Sequence, residues 1–306
     1  MNLEFDDAVK KILTEEQIER QESLAKHTTF RIGGPAAYFL KPKSEEEIAR
    51  IIACCKEQNV PYYVLGNGSN VLAEDEGYAG VILHVGKNFS SMEIKKNSDG
   101  SFLVCAGAGM MLSKLAKEAA KEGLTGLEFA AGIPGMLGGA ITMNAGAYGG
   151  EIKDCIQWAK VVTPEGEYKV LTKEQLELGY RSSVIQREGY IVTQAEFLLL
   201  KGEQETIYAT MEEYQNRRKE KQPLEYPSAG STFKRPEGYF AGKLIEDAGL
   251  RGYRVGDLMV SEKHCGFVVN VGEGTAKDAH QLLEDVSRIV YEKFQVTLEP
   301  EVRFLK

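Results

Sequence analysis

The residues with the clearest potential for chemistry lie in a glycine-rich segment at positions 126–150. Eight of its 25 positions are glycine, against 32 in the whole chain of 306 residues. Glycine loses more conformational entropy on folding than any other residue, so such a density requires a physical reason. One reason is close approach of the main chain to a ligand, where backbone N–H groups donate to phosphate. The alternative is a tightly packed core of small residues, and the pattern favours the ligand.

Two shorter glycine loops lie upstream. Residues 66–70 follow a predicted strand and add side-chain donors to a permissive backbone, although a polar turn would show the same pattern. Gly107 and Gly109 precede a predicted helix, and Glu128 follows at the distance expected in a Rossmann dinucleotide site. The third glycine of that motif is missing and Glu128 ends no parallel strand, so a Rossmann site is disfavoured. Three such loops favour a long diphosphate cofactor such as FAD, laid between two domains.

Composition excludes several classes of function. The formal net charge of -8 disfavours nucleic acid or an anionic membrane as a partner, because both repel an acidic protein. The 5 cysteines contain no Cys-x-x-Cys pair and the 4 histidines no ligand-like pair, so neither disulfides nor a metal site is expected. The acidic start lacks a signal-peptide pattern, and no apolar run reaches about 20 residues. A cytoplasmic protein is therefore expected.

Hydrophobic periodicity and helix caps predict an α+β organisation in three compact units. Ser44 and Glu47 form a capping box ahead of an amphipathic helix. Further helices are predicted at Met111–Glu122, Glu203–Lys221, Ala241–Ala248 and Thr275–Phe294. Strands are predicted at Tyr62–Leu65, Val81–Val85, Phe102–Cys105, Ala159–Val162, Tyr168–Leu171, Tyr190–Leu200, Gly266–Val271 and Val296–Phe304, the last returning to an earlier unit.

Six short motifs, each combining small residues with a few polar ones, follow one another along the chain: Gly66-Asn67-Gly68-Ser69-Asn70, Gly132-Ile133-Pro134-Gly135, Asn144-Ala145-Gly146-Ala147-Tyr148-Gly149, Gly179-Tyr180-Arg181-Ser182-Ser183, Ala229-Gly230-Ser231-Thr232-Phe233-Lys234 and Leu298-Glu299-Pro300-Glu301-Val302-Arg303. In this order they resemble the UDP-N-acetylenolpyruvoylglucosamine reductase family of the vanillyl-alcohol-oxidase (PCMH-type) FAD-binding superfamily. The resemblance covers nearly the whole chain after about residue 25.

The resemblance implies a fold and a reaction. The fold is a two-subdomain PCMH-type FAD-binding fold, at 1–85 and 86–202, followed by an α+β substrate-binding domain at 203–297 and a C-terminal strand at 298–306. The reaction is NADPH-dependent reduction of UDP-N-acetyl-3-O-(1-carboxyvinyl)glucosamine to UDP-N-acetylmuramate, through non-covalent FAD. This step belongs to peptidoglycan synthesis, and hence to cell-wall biogenesis, cell shape and cell division. The partners are then small molecules, without a metal, and a monomer is expected.

By motif match, three residues carry the chemistry. Ser231 is the proton donor, Arg181 steadies the carboxylate of the enolate intermediate, and Glu301 assists polarisation and proton supply. Each also has a structural alternative: a turn or cap serine, a surface ion-pair arginine, and a solvent-facing strand glutamate. Lys234, three residues after the serine, is a candidate charge to stabilise the serine alkoxide.

The resemblance also assigns two sets of binding residues. Those predicted to hold FAD are Gly66, Asn67, Gly68, Ser69, Asn70, Gly132, Ile133, Pro134, Gly135, Gly138, Gly139, Asn144, Ala145, Gly146 and Arg303. Those predicted to contact substrate are Tyr148, Tyr180, Lys221, Arg235 and Lys263, although a surface role for Lys263 is equally compatible with the sequence.

Two types of this reductase are known, one of which has an extra loop bearing a substrate-clamping tyrosine. The chain passes directly from the strand ending at Leu200 to the helix starting at Glu203, so it resembles the shorter type. Two other hypotheses remain open: an FAD-dependent oxidase of the same superfamily acting on a sugar or hydroxy acid, and a non-catalytic flavin or nucleotide-sugar sensor. An oxidase needs a base where this sequence offers a proton donor, which counts against it.

Overall fold

The computed structural model describes residues 3–306, which divide into two compact units. The first unit comprises residues 3–20, 38–66 and 80–217, and the second comprises residues 21–37, 67–79 and 218–306. Both units therefore consist of segments far apart in the sequence. The boundaries at 85, 202 and 297 remain a prediction.

The described chain contains both helices and strands, and several strands follow one another without an intervening α-helix. The helices are α1 (Leu3–Lys10), α2 (Glu45–Glu57), α3 (Leu112–Lys121), α4 (Leu137–Thr142), α5 (Ile152–Cys155), α6 (Val184–Glu188), α7 (Gln204–Lys221), α8 (Ala241–Asp247) and α9 (Ala276–Phe294). The strands are β1 (Ile18–Ser23), β2 (Pro35–Leu40), β3 (Tyr62–Leu65), β4 (Val71–Ala73), β5 (Tyr78–His84), β6 (Met92–Lys96), β7 (Phe102–Gly107), β8 (Leu124–Thr125), β9 (Gly146–Ala147), β10 (Gly150–Glu151), β11 (Ile156–Val162), β12 (Tyr168–Thr172), β13 (Ile191–Lys201), β14 (Ser228–Ser231), β15 (Arg254–Val255), β16 (Leu258–Val260), β17 (Phe267–Asn270) and β18 (Arg303–Leu305).

Two sheets define the N-terminal two thirds of the chain. One has the order β1-β2-β5-β3, and β3 pairs with β5 in parallel. The other has the order β12-β11-β13-β7-β6, with β8 attached to β13, and its strand pairs are antiparallel. The long strand β13 is therefore the centre of the sheet from which the glycine-rich segment projects.

Local sequence explains why α2 starts where it does. The Ser44 side chain accepts a hydrogen bond from the Glu47 backbone N–H, which satisfies one of the unpaired donors of the first turn. The helix then buries Ile48, Ile51 and Ile52 on one face. The Ser44 cap and the amphipathic helix predicted after it are thus confirmed, whereas the reciprocal half of the capping box is not: the Glu47 carboxylate accepts from the Lys43 N–H, at 2.6 Å, and from the Gln17 amide.

The second unit has its own sheet, of order β14-β17-β16-β15, with antiparallel pairs. Helices α8 and α9 contribute nine of the 22 described residues that are buried in the apolar core of this unit, including the fully buried Leu282 and Val286. The Asp75 carboxylate accepts hydrogen bonds from the backbone N–H groups of Ala276 and Lys277, at 2.8 and 3.0 Å. A negative charge at this helix N-terminus stabilises α9.

The last strand is shorter than the predicted Val296–Phe304, since only Arg303–Leu305 forms a strand, pairing in parallel with Val71–Ala73. Upstream, Phe233 and Pro300 form an isolated bridge. Proline has no N–H to donate, so a regular ladder cannot extend through position 300. The other predicted elements are present with ends shifted by a few residues.

Within residues 3–306, every helix is too short or too polar to cross a membrane.

Candidate active site

Ser231 lies at the end of β14, in the second unit, with its side chain exposed. The pairing of β14 with β17 shifts register between Ser228 and Ser231, and Gly230 adopts a positive φ of 79°. Such a bulge re-aims the side chains of a strand, and it is common beside active sites. Ser231 therefore stands at an irregular strand end, as a reactive serine would.

Thr232 fixes the chain immediately after the serine. Its backbone N–H donates to the Gly266 carbonyl at 2.9 Å, and its buried hydroxyl accepts from the Val268 N–H at 3.0 Å. Its carbonyl accepts from the Glu301 N–H at 2.8 Å. One residue thus connects the serine segment both to the sheet and to the segment that carries Glu301.

The loop at residues 67–70 joins the same assembly. The Asn70 side chain donates to the Glu301 carbonyl at 3.1 Å, and the Arg303 N–H donates to the Asn70 carbonyl at 3.0 Å. A Cβ added at Gly230 would lie 3.9 Å from the Ser69 carbonyl. The structure therefore brings together three motifs, including Asn70 and Glu301, which are 231 residues apart in sequence. Glu301 and Arg303 are both half-buried there.

Gly68 is a glycine for packing reasons. Its φ is +58°, and an added Cβ would lie 2.1 Å from the His27 carbonyl oxygen. A side chain could not fit there without moving the main chain. Packing thus accounts for this glycine. Its neighbours Asn67 and Ser69 are half-buried.

The predicted cations of the second unit have different surroundings. Lys234 pairs with Glu299, with 2.9 Å between Nζ and Oε2, and both side chains are exposed. The Arg235 guanidinium lies 4.0 Å from the Phe240 ring centroid. The Lys263 ammonium donates to the Lys219 carbonyl at 2.6 Å. Lys221 ends α7 and is exposed.

His264 hydrogen-bonds Gly266, the backbone partner of the serine segment. Its Nδ1 accepts the Gly266 N–H at 3.1 Å, so the proton of the neutral ring is on Nε2. Burial lowers the pKa of this histidine below its ordinary value. Gly266 in turn accepts the Thr232 N–H. His264 therefore packs beside the serine segment as a neutral ring.

Arg181, in the first unit, occupies the corner of a tight turn. Gly179 and Ser182 pair across it, with N–H to carbonyl distances of 3.0 and 3.3 Å. Arg181 has a φ of +52°, a backbone conformation usually reserved for glycine or asparagine. Its guanidinium lies 5.3 Å from the ring centroid of Tyr180, which is itself 53% exposed. Strained residues of this kind cluster at functional sites.

Asn144 has a fully engaged side chain. Its Nδ2 donates to Glu151 Oε2 at 2.9 Å and to the Gly179 carbonyl at 3.1 Å, while its Oδ1 accepts from the Lys153 N–H at 3.0 Å. The side chain is therefore structural, and only its backbone remains for the predicted contact with FAD. The Lys153 ammonium, followed by the Asn144 amide and the Arg181 charge, lowers the pKa of Glu151 against the opposing effect of burial.

Tyr148 packs against α7 within the first unit. Its ring stacks on Tyr214 at 4.4 Å with an interplanar angle of 12°, and the Arg217 guanidinium lies 5.0 Å from its centroid. Tyr214 and Arg217 are three residues apart and share a helix face. Sequence reasoning missed both, because α7 has no amphipathic pattern that would have marked this face.

The glycine-rich segment contains both kinds of glycine considered for it. At Gly126, Gly146 and Gly150 an added Cβ would lie 2.7–3.2 Å from protein atoms, so packing accounts for these positions. At Gly139 it would meet nothing within 4 Å, and this residue is exposed. Packing thus leaves Gly139 unexplained, and open space at a glycine fits close approach by a ligand.

The remaining loop is not a Rossmann site. Gly107 ends β7, which pairs antiparallel with both β6 and β13. Glu128 accepts hydrogen bonds from the Thr125 hydroxyl at 2.6 Å and from the Gly126 N–H at 2.8 Å, so it holds a local turn. Both observations confirm the interpretation made from the missing third glycine.

The cysteines are free thiols. Burial raises the pKa of Cys55 and of Cys155 to about 12, which makes both poor nucleophiles.

Comparison with known proteins agrees with this geometry. Residues 36–172 match an FAD-binding domain family, and residues 222–305 match the C-terminal domain of UDP-N-acetylenolpyruvoylglucosamine reductase. The chain is 59% identical to the UDP-N-acetylenolpyruvoylglucosamine reductase of Lachnoclostridium phytofermentans, over 100% of this chain and 98% of that protein. It is 48% identical to that of Clostridioides difficile, over 96% and 95%.

Solved structures extend the comparison to the fold. The crystal structure of the Thermus caldophilus enzyme matches with a TM-score of 0.81 and 38% identity, covering 94% of this chain and 99% of that one. A structure of alkyldihydroxyacetonephosphate synthase matches the fold alone, with a TM-score of 0.50, 20% identity and coverage of 66% and 41%. The PCMH-type FAD-binding fold with an added C-terminal α+β domain is thereby confirmed.

Fold and site together define an FAD-dependent oxidoreductase of the PCMH type. More narrowly, the chain belongs to the UDP-N-acetylenolpyruvoylglucosamine reductase family. The resemblance carried by the six motifs is therefore confirmed over the whole chain.

Proposed function

We propose that the chain reduces the enolpyruvyl ether of its UDP-sugar substrate to UDP-N-acetylmuramate with NADPH, as a step in peptidoglycan synthesis. The observation that carries this proposal is the convergence of Ser231, Glu301 and the 67–70 loop through Thr232 and Asn70. When bound, FAD takes hydride from NADPH and supplies it to C3 of the enolpyruvyl group. The protein must then stabilise negative charge at C2 and its carboxylate, and must deliver one proton.

Ser231 is the proposed proton donor. A serine hydroxyl is a weak acid, but an enolate carbon is basic enough to take its proton. The exposed side chain sits at a bulged strand end whose backbone is fixed by Thr232 on both sides. Glu301, adjacent through the same Thr232 carbonyl, is proposed to polarise the serine and to restore its proton.

Arg181 is the proposed cation for the enolate carboxylate. A guanidinium binds a carboxylate through two parallel N–H groups, which fixes its orientation as well as its charge. The turn from Gly179 to Ser182 presents this residue at its corner. A strained backbone at that corner is consistent with a position selected for function.

The residues proposed to hold FAD are those of the glycine loops, with small or apolar surroundings that suit a large planar cofactor. Gly139 offers open, exposed space, and a Cβ added at Gly66 would lie 3.3 Å from Met136 Cβ. We keep the remaining assignments as proposals: Asn67, Gly68, Ser69, Asn70, Gly132, Ile133, Pro134, Gly135, Gly138, Ala145, Gly146, Arg303 and the backbone of Asn144.

The residues proposed to contact the substrate are Tyr148, Tyr180, Lys221, Arg235 and Lys263. Of these, Tyr180 and Lys221 are exposed, which supports their assignment as residues accessible to a ligand. Tyr148 and Arg235 are already stacked on neighbouring groups, so they would shape a pocket wall. Lys263 donates to a backbone carbonyl, and a long-range electrostatic contribution to the diphosphate is its proposed role.

An anaerobic two-step assay tests the function. The oxidised holoenzyme is reduced with NADPH, and the enolpyruvyl sugar nucleotide is then added while the flavin absorbance is followed. Reoxidation by this substrate, with formation of UDP-N-acetylmuramate, is the expected result. Fast reoxidation by oxygen without reoxidation by the substrate would indicate an oxidase. A flavin that is bound but not reduced would indicate a sensor.

We further propose that the protein is a cytoplasmic monomer, with the domain boundaries at 85, 202 and 297. Light scattering coupled to size exclusion checks the oligomeric state, for which one chain per particle is expected. Fluorescence of a tagged chain in cells checks the location.

A further inference from the structure

The turn that carries Arg181 is anchored at both ends by the segment that follows α4. On one side, Gly179 accepts a hydrogen bond from Asn144 Nδ2 at 3.1 Å. On the other, the Ser183 hydroxyl donates to the Thr142 carbonyl at 2.7 Å. Asn144 and Ser183 are 1% and 0% exposed, so water cannot replace these bonds without opening the structure. The turn that carries the arginine is therefore held at both ends, by Asn144 and by Thr142.

The left-handed conformation of Arg181 makes these anchors necessary. A non-glycine residue in this region costs of the order of 1–3 kcal/mol, and it persists only where the surroundings determine it. Asn144 itself has a φ of +41°. Asparagine tolerates this region, so the strain is at Arg181, where it indicates a conformation imposed by contacts.

Glu151 determines the orientation of the Asn144 side-chain amide. Its Oε2 accepts one of the two Asn144 Nδ2 protons at 2.9 Å, and this leaves the other proton aimed at the Gly179 carbonyl. Because Oδ1 accepts the Lys153 N–H, the amide cannot flip without losing every bond it makes. The Glu151 side chain is 30% exposed and also pairs with the Lys153 ammonium at 2.7 Å.

We propose that Asn144 and Glu151 are positioning residues for Arg181, acting through the carbonyl of Gly179. This inference rests on the proposed function of Arg181 as the cation for the substrate carboxylate. Neither residue needs to touch substrate for this role. A displacement of the arginine by an ångström or less would affect the substrate half-reaction, whereas flavin reduction by NADPH would proceed.

Three single variants test the proposal on the holoenzyme. Glu151→Ala removes the acceptor, Glu151→Gln restores a neutral acceptor, and Lys153→Ala removes only the ion pair, since the Lys153 contact to Asn144 is made by its backbone. Glu151→Ala should slow reoxidation by the enolpyruvyl sugar nucleotide about tenfold or more, with flavin reduction changed less than about twofold. Glu151→Gln and Lys153→Ala should stay within about threefold of the wild type.

A double-mutant cycle separates positioning from a general structural role. In an Arg181→Ala background, Glu151→Ala should slow reoxidation by less than about twofold further, because there is no guanidinium left to position. Equal, additive losses in both backgrounds would overturn the proposal, as would an unchanged reoxidation rate in Glu151→Ala.

Amide hydrogen exchange gives a readout that does not depend on the reaction. In Glu151→Ala, the amides of Gly179 and Ser182 should exchange at least about tenfold faster than in the wild type, because the Asn144 amide no longer holds the Gly179 carbonyl. Unchanged exchange would overturn the positioning role even in an enzyme that reduces the substrate. A wild type that the substrate fails to reoxidise, with exchange behaving as expected, would instead reject the proposed function and keep the structural role of the two residues.

Discussion

The segment that carries Ser231 and the turn that carries Arg181 differ in what holds them in place. Around Ser231 most of the bonds join backbone groups: Thr232 N–H to Gly266, Thr232 carbonyl to Glu301 N–H, and a strand partner on β17, with the Thr232 hydroxyl and the Asn70 amide adding side-chain bonds. Around Arg181 the turn has one backbone pair of its own, and the bonds that anchor it to the segment at 142–144 come from the side chains of Asn144 and Ser183. Most substitutions should therefore leave the backbone bonds of the first arrangement intact, whereas single substitutions can remove the anchors of the second.

The difference suits the two proposed tasks. A proton donor must be held within hydrogen-bond reach of one carbon, and a sheet edge supplies such a fixed point. A cation that meets a carboxylate needs the correct approach of a long, mobile side chain, and a strained turn supplies that direction at a cost in stability. Variants that break one arrangement and spare the other sharpen this comparison.

The largest effect is expected for Ser231→Ala. Loss of the proton donor should slow the substrate half-reaction by roughly 10²- to 10⁴-fold and leave flavin reduction by NADPH nearly unchanged. Stopped-flow absorbance of the flavin measures both steps. Ser287→Ala, on α9 and outside the serine segment, is the control and should change neither step by more than about threefold. Equal losses in both steps for Ser231→Ala would indicate a structural role instead.

Arg181→Lys should have the next largest effect. Lysine keeps the positive charge but cannot form two parallel bonds to a carboxylate, so reoxidation by the substrate should fall roughly 10- to 100-fold. Arg187→Lys is the control, because that arginine pairs with Glu177 on the surface. A lysine variant as fast as the wild type would show that charge alone suffices.

Gly139→Ala and Gly146→Ala distinguish a glycine kept for a ligand from one kept for packing. An alanine at 139 meets no protein atom within 4 Å, whereas at 146 it would lie 2.7 Å from the Gly150 carbonyl. Gly139→Ala should weaken FAD binding about tenfold with no loss of apoprotein stability. Gly146→Ala should lower the stability itself. Flavin fluorescence titration and urea unfolding measure the two effects, and the reverse pattern would contradict the assignment.

Thr232→Val tests a side-chain bond within the segment that carries Ser231. The variant keeps the shape of a buried side chain but leaves the Val268 N–H without its acceptor, at a cost of about 1–3 kcal/mol in the free energy of unfolding. The exposed Thr206→Val on α7 should change it by less than about 0.5 kcal/mol. Urea denaturation measures both. An equal, small effect at the two positions would show that Thr232 does not fix the serine segment.

The smallest effect concerns pH. Burial lowers the pKa of His264 below the ordinary value of 6.5, so the unfolded chain takes up this proton more readily than the folded protein. The contribution of neutral His264 to the free energy of unfolding should thus be fully present above pH 6.5 and should decline as the pH falls below it. His264→Asn, which keeps an acceptor for the Gly266 N–H, should make this decline shallower. Urea midpoints measured across this range check it, and parallel curves would contradict it.

Much of the fold could be predicted from local sequence signals. The Ser44 cap, the amphipathic α2 and the long β13 follow from residues that are neighbours in the chain. The family and the fold followed from six motifs in order. The end of the chain could not be predicted in this way. Apolar and polar residues alternate at 296–302, which predicts a strand, but Pro300 prevents a regular ladder there.

The parts of the site that sequence missed depend on distant pairings. Asn144 lies in a motif assigned to FAD, yet its side chain is engaged by Glu151 and by Gly179, which is 35 residues away. Tyr214 and Arg217 lie on a helix without a clear apolar face, and their partner Tyr148 is more than 60 residues away. No local periodicity encodes such contacts.

Amide hydrogen exchange of the native holoenzyme tests the central comparison most directly. The amides of Thr232, Val268 and Glu301 take part in the hydrogen bonds that fix the serine segment, so they should exchange only through large-scale opening. The amides of Gly179 and Ser182 should exchange at least about tenfold faster, through local opening of a turn held by two side chains. Equal protection of the two regions would contradict the account.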